Sequence, residues 1–84
     1  LFIDIIICES SGNHAGVWGD DEVSYGIAQF QEETFYRLAK KAKLKNPYWK
    51  NAEQQLRLLA WSLKNGYGRE WSCYKKIQGN GKTP

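Results

Sequence analysis

Three or four helices packed around one long, polar, glycine-rich loop is the architecture these 84 residues predict, a mainly α fold. Three observations point to it. Two segments, 31–43 and 52–63, carry apolar residues at helical spacing. The stretch from Ser10 to Tyr25 holds three glycines with Asn and Asp and few apolar anchors, the composition of a loop. Asn46-Pro47 and Gly66 supply the breaks that separate the helices. The length allows one domain, and no internal repeat or low-complexity run is present.

Residues 1–8, LFIDIIIC, are strongly apolar but leave strand and helix open, since four Ile favour a strand and the length decides nothing. Asp4 interrupts the run, which is too short to span a bilayer and lacks the basic start of a signal peptide, so it reads as a buried element. Starting at Leu1 without a Met, the chain is expected to be a mature product or an excised domain. In 31–43, Phe35, Leu38, Ala39 and Ala42 line one helical face. Glu32 and Glu33 open that helix and Lys40, Lys41 and Lys43 close it, the order the helix dipole favours. Asn51 is placed to cap the next helix with Gln54 three positions on, and Ala52, Leu56, Leu59, Ala60 and Leu63 form its apolar face. A shorter helix over 70–77 would bury Trp71, Tyr74 and Ile77. The domain is expected to cover 1–78, with 79–84 as a flexible tail.

Charge is divided unevenly. Residues 1–33 hold seven acids and no Lys or Arg, whereas 34–84 hold all twelve basic residues and only Glu53 and Glu70, so the parts carry −7 and +10. The net +3 argues for a nucleic-acid partner only weakly, and the long acid-only segment argues against one. Arg37, Lys40, Lys41, Lys43, Lys45 and Lys50 form a basic belt that reads as a solvated face, with binding of an anionic polymer as the alternative.

Little of the familiar chemistry of sites fits. One His and two Cys match no zinc spacing, and the glycines at 12, 16, 19 and 26 match neither a P-loop nor a dinucleotide fingerprint, so no metal and no cofactor is expected. Cys8 with His14 as nucleophile and base is outweighed by a structural cysteine beside a loop histidine. A domain this small gains from a staple, and Cys8 and Cys73 either form one or stay reduced and buried. Glu9 attracts chemistry, because it stands where the apolar element opens into the polar loop. Desolvation there raises a carboxyl's pKa and keeps it protonated enough to act as a general acid. A helix-terminal Glu bonded to loop backbone is the plainer alternative.

ICESSGNH followed by SYGIAQF resembles the two leading motifs of the lytic transglycosylase catalytic domain, in the lysozyme-like superfamily. The E-S pair is Glu9-Ser10 and the G-[LI]-[MA]-Q segment is Gly26-Ile27-Ala28-Gln29. The loop GVWGDDEVSYG is similar to that of goose-type lysozymes, a sister branch. The resemblance implies a small lysozyme-like fold and cleavage of the β-1,4 bond between N-acetylmuramic acid and N-acetylglucosamine in peptidoglycan. Glu9 would be the single general acid/base, leaving 1,6-anhydro ends. Ser10 would orient Glu9 or contact sugar, Gln29 with the Gly26 backbone would hold an N-acetyl group, and Ser24 and Tyr25 would border the groove. The family's A-Y-N-x-G stretch is replaced by Ala60-Trp61-Ser62 and Asn65-Gly66-Tyr67-Gly68, so its tyrosine role falls to Tyr67. The alternatives are a hydrolytic muramidase using Asp20 or Asp21 to position water, and a wall-binding module without activity. The resemblance further implies a monomer acting on glycan strands outside the cytoplasm, in the cell envelope, secreted or carried on a virion. In that setting Cys8 and Cys73 are expected to form a disulfide.

Overall fold

The computed structural model describes residues 1–19 and 22–81. Its first helix, α1 (Phe2–Ser10), resolves the ambiguity of the apolar N-terminal run. Ile5 and Ile6 are buried in the core, while Ile3 and Ile7 face solvent. A strand would divide such a run by alternation; here two adjacent isoleucines face inward, as only a helix allows. Ser11, in the left-handed region at φ 55°, ends the helix with its N–H on the Ile7 carbonyl at 3.0 Å.

The segment read as loop contains a small antiparallel sheet. Its strands are β1 (Trp18–Gly19), β2 (Ser24–Tyr25) and β3 (Phe30–Gln31), in that spatial order. Trp18 pairs with Tyr25, and Tyr25 in turn with Phe30. Strands of two residues are too short to show alternation, which is why composition alone reads this region as loop.

The next helix, α2 (Glu32–Lys41), buries Phe35, Leu38 and Ala39, as its spacing predicts. The following one, α3 (Ala52–Lys64), is capped by Asn51, whose Oδ1 accepts from the Gln54 N–H at 2.9 Å. Its inward face differs from the expected one. Gln55, Leu58, Leu59 and Ser62 are buried, Leu56 and Leu63 lie half-buried at the margin, and Ala60 is exposed. Two polar residues occupy the core line because their hydrogen-bonding groups are satisfied there, and hydropathy counts them as surface. Ser62 Oγ donates to the Leu58 carbonyl at 2.7 Å.

After a 3-10 turn (Gly68–Glu70), α4 runs from Ser72 to Gly81, so the expected helix over 70–77 starts two residues later and continues four further. Of the tail predicted over 79–84, residues 79–81 belong to this helix, and 82–84 lie outside the described residues. Trp71 precedes α4 and is buried; its Nε1 donates to the Ala28 carbonyl at 2.7 Å. Phe30 meets Trp71 and Phe35 edge-on, at 5.0 and 5.4 Å between centroids. This aromatic row, with Ile5, Leu38 and Leu59 and the half-buried Tyr74 and Ile77 of α4, ties the sheet to all four helices. Cys8 and Cys73 are joined by a disulfide that staples α1 to α4. No described helix is long and apolar enough to cross a membrane.

Candidate active site

Glu9 lies one residue before the end of α1 and is half-buried. Its Oε2 accepts a hydrogen bond from the N–H of Cys73, in the first turn of α4, at 3.3 Å. A backbone donor at a helix N-terminus is well suited to hold a carboxylate. The side chain borders a recess of about 80 Å³. Ser24, Gln29 and Phe30 reach it from the loop sheet, Thr34 from α2, and Glu70 and Ser72 from the far wall. Of the residues singled out by sequence, Glu9, Ser24 and Gln29 meet at this recess, while Ser10, Tyr25, Gly26 and Tyr67 stand outside its lining.

Three of those outside it, Ser10, Tyr25 and Gly26, hold the loop together. Ser10 is buried, with Oγ 2.7 Å from the Ile27 carbonyl and accepting from the Gly12 N–H at 3.2 Å. Gly26 adopts φ 90° between the His14 ring and the Gln55 amide, where a Cβ would come within 2.7 Å of both. Gln29 has two tasks: while lining the recess it donates Nε2–H to the carbonyls of Val17 and Gly26, at 3.1 and 2.8 Å. Tyr25 accepts from the Gly16 N–H at 2.9 Å. Tyr67 stacks on Trp61 with centroids 5.5 Å apart. Asp20 and Asp21 lie outside the described residues.

Cys8 is a structural cysteine, as the sequence favours over a Cys8–His14 nucleophile and base, because its sulfur is bonded to Cys73. His14 instead accepts the Ile27 N–H at Nδ1 (2.9 Å), which leaves Nε2 as the donor to the Lys50 carbonyl at 2.6 Å.

Sequence reasoning missed two residues here. Glu70 brings a second carboxylate to the recess, and its Oε2 accepts from Arg37 Nη2 at 2.8 Å. Nothing local marks it, since its partner is 33 positions away. Gln55 is fully buried under the loop. Its Oε1 accepts the Ala28 N–H at 3.0 Å, and its Nε2 donates to the carbonyls of Tyr25 and Trp49, both at 2.8 Å. Truncation to Ala would strand three backbone groups. We expect Gln55→Ala to cost about 3 kcal/mol, read as a lowered midpoint in urea. A midpoint unchanged from wild type would show that the loop does not depend on this side chain.

A sequence model of the phage tail lysozyme family matches residues 5–82. The chain belongs to that family. The match runs from α1 through α4 and so includes Glu9 and every wall of the recess. Family membership agrees with the sequence reading at the level of a lysozyme-like, peptidoglycan-cleaving family. No curated protein and no solved structure matches the chain significantly.

Proposed function

We propose that this domain cleaves peptidoglycan glycan strands at the β-1,4 bond between N-acetylmuramic acid and N-acetylglucosamine, with Glu9 as general acid and then base. One observation carries the reading: in a family of wall-cleaving proteins, Glu9 presents its carboxylate where α1, the loop sheet and the first turn of α4 converge on a polar recess. Protonated Glu9 gives its proton to the glycosidic oxygen as the bond to C1 breaks. The resulting carboxylate then takes the proton of the muramoyl 6-hydroxyl, which attacks C1 and closes a 1,6-anhydro ring. One carboxylate suffices, since the substrate's acetamido group stabilises the cationic centre. Ser24 and Gln29 contact the sugar beside Glu9. Ser10, Tyr25 and Gly26 keep the loop in register, and Tyr67 has no step in this scheme. The domain acts from outside the cell as a monomer, delivered on a virion.

Glu70 favours a second reading, hydrolysis. Paired with Arg37 and bordering the same recess, it offers a second carboxylate that would orient a water toward C1. Digestion of purified sacculi followed by mass spectrometry separates the readings. Anhydro-ended muropeptides are the expected products. Reducing-end products one water heavier would replace the transglycosylase with the hydrolase, and binding to sacculi without any soluble product would leave a wall-binding module.

A further inference from the structure

Away from the Glu9 recess, three aromatic rings converge on one cation. Trp18 of β1, Tyr25 of β2 and Trp49, just before α3, meet edge-to-face with centroids 4.7, 5.8 and 6.0 Å apart. Lys50 Nζ lies 5.0 Å from the Trp18 ring, 5.1 Å from Tyr25 and 5.8 Å from Trp49. All three distances fall within the reach of a cation–π contact. We propose that this box is a binding site for an alkylammonium group, which Lys50 occupies in the free protein and a ligand's ammonium displaces.

Two of the three rings are held by bonds that owe nothing to the lysine side chain. Trp49 Nε1 donates to the Phe30 carbonyl at 2.7 Å, and Tyr25 Oη accepts from the Gly16 N–H. Gln55 clamps the backbone carbonyls of both residues. His14 packs its ring against Tyr25 from the side, at 5.3 Å. Tyr25 and Trp49 therefore keep their places when Lys50 leaves, and the strand pairing of Trp18 with Tyr25 keeps the third ring beside them.

Lys50 itself is lightly held. Its residue is exposed, and no carboxylate among the described residues pairs with its ammonium. Trp18 is 41% exposed, so the box opens to solvent. An exposed cation–π contact is worth only about 0.5–1 kcal/mol, and the lysine stem can swing out at little cost. Aromatic boxes of this kind select ammonium groups over neutral groups of the same size, because the ring faces attract positive charge.

On the wall-cleaving reading the ligand would be an amine carried by the wall, and that source alone rests on Glu9 chemistry. Ammonium binding stands or falls separately, so the test is equilibrium binding with no turnover. Tryptophan fluorescence would be titrated with N-α-acetyl-lysine amide and with tetramethylammonium chloride, at constant ionic strength, on wild type, Lys50→Ala and Lys50→Ala/Trp18→Ala. Lys50→Ala is expected to bind at least one probe about three- to sixfold more tightly than wild type, the gain that removing a competitor of that strength gives, and loss of Trp18 to abolish the gain. Preference for the lysine amide assigns a primary amine such as a peptide side chain. Preference for tetramethylammonium assigns a quaternary headgroup. If Lys50→Ala, folded by circular dichroism, binds neither probe more tightly than wild type, or if removing Trp18 leaves the gain intact, the proposal is overturned and Lys50 is a brace for the loop.

Discussion

Glu9→Gln is expected to slow lysis of purified sacculi by at least about a hundredfold while leaving thermal stability within a degree or two of wild type. The size of the effect follows from general acid catalysis, whose removal typically costs two to four orders of magnitude. Stability should survive because Gln keeps the shape of Glu and still presents an acceptor oxygen to the Cys73 N–H. What it loses is the capacity to carry a proton to the leaving oxygen. Turbidity loss of a sacculus suspension reads the rate, and a pelleting assay reads wall binding, which the variant should retain. A Glu9→Gln protein that keeps a tenth or more of the wild-type rate would remove Glu9 from the mechanism. Glu70→Gln makes the informative companion. On the single-carboxylate scheme it leaves anhydro products intact and changes the rate modestly, whereas a loss as large as that of Glu9→Gln would make Glu70 a full partner.

The division of charge along the chain acquires a spatial meaning in the fold. Both acids of the basic part are paired within it, Glu53 with Arg57 and Glu70 with Arg37. Arg37 thus brings positive charge toward the recess and directs it to Glu70. The exposed i, i+4 pair Arg57–Glu53 contributes only a few tenths of a kcal/mol. Glu9 receives instead a backbone N–H from α4, a partner supplied by the fold and invisible to a count of charged residues. Its acid-rich neighbourhood is real in sequence, but a group that touches the carboxylate comes from 64 positions away.

The features readable in the sequence are those governed by near neighbours. The Asn51 cap, the inward face of α2 and the stop near Gly66 depend on residues within a turn of each other, and each stands where spacing puts it. The junction of helix and loop at Glu9 was legible for the same reason. Where a residue's role depends on a distant partner, local pattern misleads. Gln55 looks like a surface residue because an amide is polar, yet it is buried where three backbone groups 6 to 30 positions away need partners. That exchange turned the predicted face of α3 away from the observed one. Trp71 was expected within a helix but sits just before it, where its indole N–H reaches Ala28 across 43 positions. Glu70 escaped notice because no spacing rule links it to Glu9. The box around Lys50 was hidden likewise, since Trp18, Tyr25 and Trp49 meet only when the loop sheet folds over the start of α3.

Loss of the Cys8–Cys73 bond is expected to have the largest effect on stability. The cysteines are 65 positions apart, so the bond closes most of the chain, and loop-closure entropy assigns it about 4 kcal/mol. For a domain of this length such a loss lowers the melting temperature by roughly 20 °C, a large fraction of what one small core supplies. Function should suffer beyond stability, because the bond is adjacent to Glu9 on both sides. Cys8 precedes Glu9 on α1, and Cys73 donates the N–H that Glu9 accepts. Reduction frees α1 to move against α4, and the carboxylate then loses its fixed place at the recess. The expected result is that wild type under reductant and Cys8→Ser without it melt at the same lowered temperature. Both should also lyse sacculi more slowly at 20 °C even where circular dichroism still reports a folded chain. The double variant Cys8→Ser/Cys73→Ser should match the single one, since either change removes the same bond. Two free thiols in the intact mass of the native protein, or a melting temperature that reductant shifts by less than about 5 °C, would show that the helices are held by packing alone.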